Sequence, residues 1–172
     1  MKRVIWGLTL FSALGAAQTP DPGAHVEAMK KFAFLAGDWK GEGWVEMAPG
    51  QRHEYEQTER VEFRQRGTII SIVGQGKDKA TGELGHDAFA VLSFDPAKGQ
   101  YTMTSWAYPG RRGSFEIKPE GEGFAWGMKN GPATIRYRMK LSAEGVWHET
   151  GEMTVDGQTW RQFLEFKVRR VK

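Results

Sequence analysis

Cysteine is missing altogether from the 172 residues. Its absence excludes a disulfide framework, a thiol nucleophile and every cysteine-ligated metal or cluster site. A run of like charge is missing too. The 24 lysines and arginines are nearly balanced by 21 acidic residues, more nearly still without Lys2 and Arg3. That leaves no electrostatic footprint for nucleic acid or an anionic membrane. No apolar stretch reaches the length needed to cross a bilayer as a helix. The four histidines, His25, His53, His86 and His148, are not paired at helix or strand spacing, so no H-x-H or H-E-x-x-H metal motif is present. Ser71, Ser93, Ser105 and Ser114 lack the G-x-S-x-G turn of a serine nucleophile. Residues 121–123 sit between strand-like segments and open no helix, which makes them a turn and not a phosphate loop. No internal repeat marks a propeller or solenoid.

What is present is 40% hydrophobic residues, 12% aromatic residues and 22 glycines. Aromatics fill a pleated face and glycine supplies positive φ in turns, so the composition predicts a mostly β domain. Lys2 and Arg3, an apolar stretch over residues 4–14 and small residues at 15–17 follow the order of a secretory signal. The expected organisation is a signal peptide at 1–17, a flexible leader at 18–23 with Pro20 and Pro22, and one domain over 24–172. The protein is therefore expected to be exported, periplasmic or secreted, with no membrane segment once the signal is removed. Monomer and homodimer both fit the pattern.

Asp21 can cap a short helix with Pro22 in its first turn, and Ala28, Met29, Phe32 and Leu35 repeat at helical spacing up to Gly37. Thereafter the period is two. Turn signals separate ten segments, at residues 39–47, 53–65, 68–75, 86–94, 100–108, 112–118, 123–129, 133–142, 146–155 and 159–171. Within them bulk alternates with charge: Tyr55, Val61 and Phe63 oppose Glu54, Arg60, Glu62 and Arg64, while Ile135, Tyr137 and Met139 oppose Arg136, Arg138 and Lys140. In the last segment Trp160, Leu164, Phe166 and Val168 share a face. Short loops make a meander, and about ten meandering strands avoid exposed edges by closing. The predicted fold is all-β: a closed up-and-down antiparallel β-barrel of about ten strands with a short N-terminal helix closing one end.

A barrel of that strand number is wider than side chains alone fill. Trp106, Tyr108, Met103, Phe124, Trp126, Tyr137 and Met139 are candidates to line the interior. Gln57 and Glu59 share the phase of Tyr55, and Gln162 shares that of Trp160 and Leu164. Polar groups on an inward face need partners, water or a ligand; Arg111 is a candidate partner for Glu59. His86, at a strand start, is placed to meet a ligand at the barrel mouth. The candidate ligand-binding set is Tyr55, Glu59, His86, Met103, Phe124, Trp126, Tyr137, Met139 and Gln162, with no catalytic residue, metal or cofactor assigned. The leading expectation is a binding module for a small apolar or amphipathic molecule. The alternatives are an enzyme using His86, Glu59 or Tyr137 as acid and base, and an envelope structural or interaction protein with a filled barrel.

The stretch Gly37-Asp38-Trp39-Lys40-Gly41-Glu42-Gly43 after a short helix resembles the opening of calycin barrels, shared by lipocalins, fatty-acid-binding proteins and nitrobindins. With Phe94, Asp95, Pro96, Gly99 and Tyr101 in a hairpin and Arg169 and Arg170 ending the last strand, the whole chain after the signal is most similar to nitrobindin-like domains and to a family of exported bacterial proteins of unknown function. The resemblance implies that Arg170 covers the Trp39 indole at the helix-closed end, as structural residues. Nitrobindins ligate haem through a histidine on a closing strand. Here Phe163 and Glu165 occupy that stretch and no histidine follows His148, so haem binding is not carried over as the leading expectation; a haem-binding nitrobindin-like protein stays a further alternative, in which His148, whose inward or outward phase is open at this stage, replaces that ligand.

Overall fold

The computed structural model describes residues 21–46 and 48–171. The expected signal at 1–17 lies outside the described residues. Asp21 caps helix α1 (Pro22–Met29) by accepting the Gly23 amide at 2.9 Å, so residues 22 and 23 belong to the helix and not to a leader. The helix then tightens into a 3-10 segment, Lys30–Leu35. The sequence explains the change. Met29, Phe32 and Leu35 are three apart, and three residues per turn puts all three on one line; all are fully buried.

Ten strands follow: β1 (Gly37–Glu46), β2 (Arg52–Arg64), β3 (Ile69–Asp78), β4 (Leu84–Asp95), β5 (Gln100–Ala107), β6 (Arg111–Pro119), β7 (Gly123–Asn130), β8 (Ala133–Leu141), β9 (Val146–Thr154) and β10 (Arg161–Arg170). Each pairs antiparallel with its sequence neighbour, and β10 returns to β1 to close the barrel. β3 outruns its expected end because its turn begins only at Asp78, whose carboxylate accepts the amides of Ala80 and Thr81. The seam between β6 and β7 is thin, with Lys118 paired to Ala125 and Pro119 to Phe124.

One expectation fails in β10. Asp156 accepts the amides of Gln158 and Thr159 at 2.8 and 2.7 Å, which holds the chain in a turn past the expected strand start. A bulge then falls between Gln162 and Leu164. The extra residue reverses the alternation: Phe163 goes inside, 2% exposed, and Gln162 goes out, bonding the Leu164 carbonyl. Trp160 also lies outside, against the Arg136 guanidinium. Gln162 is therefore not an interior residue.

The helix plugs one end. Phe32 packs edge-on against Tyr101 and Phe124, with centroids 5.1 and 5.9 Å away. The Trp39 indole donates to the Leu35 carbonyl at 2.8 Å. Arg170 lies over that indole, 4.5 Å from the ring centroid, and donates to the carbonyls of Phe34 and Ala36 at 2.6 Å each. The guanidinium thus ties the last strand to the helical plug. Arg170→Ala is expected to cost about 1 to 2 kcal/mol through the lost cation–π contact and two charge-assisted hydrogen bonds. Calorimetry should show a lower Tm with ligand affinity unchanged; an unchanged Tm would contradict this role.

Candidate ligand-binding site in the barrel interior

Away from the plug the barrel presents two unlike inner walls. Cross-strand partners share a face, and the register carries one interior row from Glu59 through Gly74, Ala88 and Ala107 to Arg111. A second row runs Val61, Ile72, Ala90, Ser105 and Gly113. From β3 to β6 this wall is therefore built largely of small side chains. The facing wall is aromatic. Trp126 stacks on Tyr137 with centroids 4.8 Å apart and planes 12° from parallel. Phe124 stacks on Trp126 at 5.4 Å, and Phe163 meets Tyr137 edge-on at 5.7 Å. Met139 pairs with Phe124 on one side and with Glu149 on the other.

Two carboxyl groups lie between the walls. Glu59 is 7% exposed and Glu149 8%. Glu59 lies across Gly74; a Cβ there would sit 2.8 Å from both carboxylate oxygens. Its Oε1 accepts the Gln57 amide at 2.7 Å, and Glu149 Oε2 accepts the Trp147 indole at 3.2 Å. Among the described residues no lysine or arginine forms an ion pair with either. Burial therefore dominates: it pushes each carboxyl up to about 8, offset in part by the Gln57 and Trp147 hydrogen bonds, with the Glu149 charge adding to the rise at Glu59. Tyr137 is pushed up to about 12 by burial first and the Glu149 charge second, against a lowering by Arg111. Glu149 was missed by sequence reading. Its strand carries polar residues in both phases, and only the burial of Trp147, two residues earlier, fixes which phase is inside.

Other expected site residues separate by position. Tyr55 and His86 stand together at the mouth, both against Gly76, and Tyr55 also covers Gly85. His86 is exposed at the rim, yet the surrounding wall desolvates its ring and, with the Arg111 charge second, lowers its pKa. Met103 is buried beside the plug with Leu92 and Phe115. Arg111 does not pair with Glu59. It stands four strand spacings along the interior row, at about 4.8 Å each, and donates to the Tyr108 carbonyl. Trp106 and Tyr108 are not interior residues: Trp106 stacks on Phe89 on the outer face, centroids 5.9 Å apart, and Tyr108 is 75% exposed. On the outer side of the wall, an open groove of about 480 Å³ lined by Lys118, Arg136, Arg138 and Glu152 also touches Trp126 and Tyr137.

The two positions that the nitrobindin likeness singles out offer no axial donor from inside the barrel. Axial ligation needs a donor inside the cavity, but Phe163 fills the stretch where nitrobindins carry their histidine. His148 points outward and bonds Glu165 at 2.8 Å, a carboxylate that also accepts from Trp44 and Lys167 and is held at about 2, chiefly by Lys167. A haemin titration should accordingly give no saturable Soret shift. A sharp shift lost in His86→Ala would contradict this.

The fold is a closed, ten-stranded antiparallel β-barrel with one end plugged by the N-terminal helix. No family model and no curated protein matches the sequence. Among solved structures, Rv2717c from M. tuberculosis superposes with a TM-score of 0.61 at 15% identity, over 84% of this chain and 98% of that one. The S-type phycobiliprotein lyase CPES from Guillardia theta gives 0.56 at 12% identity, over 90% and 99%. At these identities the likeness is one of fold.

Proposed function

We propose that the protein is an exported binding module that holds a small apolar or amphipathic molecule between the aromatic and small-residue walls of its barrel. The observation that carries this reading is the contrast of those walls. The Trp126–Tyr137 stack faces a row of glycine and alanine, and apolar burial with a few polar anchors is the usual make-up of a small-molecule site. Export rests on the order of charge, apolar stretch and small residues over positions 1–17.

Native mass spectrometry of protein recovered from the exported fraction should show a bound small molecule. The ligand-free protein should take up N-phenyl-1-naphthylamine with a saturable rise in fluorescence. No co-purified mass and no saturable binding would overturn the reading. A second reading, an acid–base enzyme, is favoured by one observation: carboxyls held near about 8 stay protonated at neutral pH and suit a general acid. Recovery of the co-purified molecule unchanged after prolonged incubation separates a binder from an enzyme.

A further inference from the structure

Among the described residues the interior carboxyls have no counterion, and their geometry points to what supplies one. Each uses one oxygen in a protein hydrogen bond. Glu59 Oε2 and Glu149 Oε1 accept no hydrogen bond from the described residues. Yet among those residues no side-chain polar atom is both sealed off and unpartnered. The second oxygen of each carboxyl is therefore not sealed off, and both side chains lie in the inward phase of their strands, although both residues are more than nine-tenths buried. A protein needing only a filled core gains nothing from two such groups, because uncompensated carboxyls in low dielectric are costly.

We propose that the interior selects a flat organic cation, an aromatic or amphipathic amine, whose positive end lies between Glu59 and Glu149 and whose apolar body lies against Trp126 and Tyr137. This rests on the reading of the interior as a ligand site and names the class of ligand. A cation is the one partner that satisfies both features of the interior, since an aromatic face attracts it and a carboxylate neutralises it.

The groups around the carboxyls leave that role to the ligand. From β8 the interior contributes the Tyr137 hydroxyl, which stays protonated. His86 on β4 and Arg111 on β6 stand at the mouth, where Arg111 acts on His86 and Tyr137, and Tyr55 on β2 stands with them. On β3 the inward Asp78 stands beside Tyr55 at the mouth, where His53 and the amides of Ala80 and Thr81 hold its carboxylate low; the other inward residues nearest the carboxyls, among them Gly41, Gly74, Ser105, Trp126 and Phe163, carry no charge. Binding a permanent cation then ionises one carboxyl, whose proton leaves to solvent.

Acridine and 10-methylacridinium test this, having the same rings but differing by a permanent charge. Wild-type protein at pH 7.5 should bind 10-methylacridinium at least tenfold more tightly than acridine. Calorimetry in two buffers of different ionisation enthalpy should show release of about one proton per cation bound. Between pH 6 and 7.5 the cation affinity should rise towards tenfold per pH unit, as one released proton requires; this needs no variant. Glu59→Gln with Glu149→Gln should weaken the cation at least tenfold and abolish the proton release, its folding checked by circular dichroism. If acridine binds and 10-methylacridinium does not, or binds without proton release, the cation proposal is wrong and the interior site stands. If neither binds, both are wrong.

Discussion

Raising the pH from 5 to 8 is expected to lower the unfolding free energy by several kcal/mol. Glu59 and Glu149 each titrate at about 8 in the folded protein against an ordinary value of 4.5, so between those values the folded state holds protons that the unfolded chain has released. Stability is then fully present below about 4.5 and is lost as pH rises through about 8, at roughly 1 kcal/mol per pH unit for each carboxyl. The two sites repel when ionised, so they titrate as a pair and the second proton comes off later. The carboxylates held low, Asp156 and Glu165 among them, have finished titrating by pH 5. His86, lowered from 6.5, works in the opposite sense: its folded form takes up a proton less readily, which adds stability as pH rises towards 6.5. Urea unfolding at pH 5, 6.5 and 8 measures the net slope. The paired substitutions Glu59→Gln and Glu149→Gln keep an acceptor for Gln57 and Trp147 and remove the ionisation, so the variant should be nearly flat with pH and more stable than wild type at pH 8. Wild-type stability that rises steadily from pH 5 to 8 would show that the carboxyls are ionised in the fold.

The second large effect is at the closing seam. Gly41 pairs with Val168 where β1 meets β10, and a Cβ on Gly41 would lie 2.0 Å from the Lys167 carbonyl oxygen and 2.8 Å from the Val168 Cα. These are backbone atoms, which cannot swing aside as a side-chain end does. Gly41→Ala must push the two strands apart where the ring closes, and is expected to cost 3 kcal/mol or more, at or beyond the upper end of ordinary overpacking. Gly50→Ala is the control for a glycine with open space around it, though its positive φ of 76° adds a smaller strain. Chemical denaturation of both variants checks the ranking. A Gly41→Ala midpoint equal to wild type would mean that β1 and β10 are less closely apposed.

The fold was legible because two periods are written plainly. Charge alternates with bulk in β2 and β8, glycine and proline punctuate the hairpins, and the G-x-W-x-G-x-G stretch has a physical cause, since Gly41 and Gly43 are where β10 passes close over β1. The inward placement of Phe124, Trp126, Tyr137 and Met139 was legible for the same reason, since they lie on strands whose phase is unambiguous. The errors share one origin, that phase is local. A single extra residue at Phe163 reversed the assignment of Gln162, and mixed polarity along β9 hid Glu149. Trp106 and Tyr108 show the complementary limit, because an aromatic side chain suits an outer face as readily as an inner one.

The central claim is that ligand binds inside the barrel, and the tryptophans report on it from both sides of the wall. Trp126 and Trp147 face the interior, while Trp44, Trp106 and Trp160 lie outside, against Arg52, Arg112 and Arg136. Indole N–H resonances of ¹⁵N-labelled protein, followed during titration with N-phenyl-1-naphthylamine, distinguish the two. Saturable shifts of Trp126 and Trp147 with Trp44, Trp106 and Trp160 unmoved are the predicted result. Shifts confined to Trp106 would place the molecule on the outer Phe89–Trp106 surface and contradict the interior site.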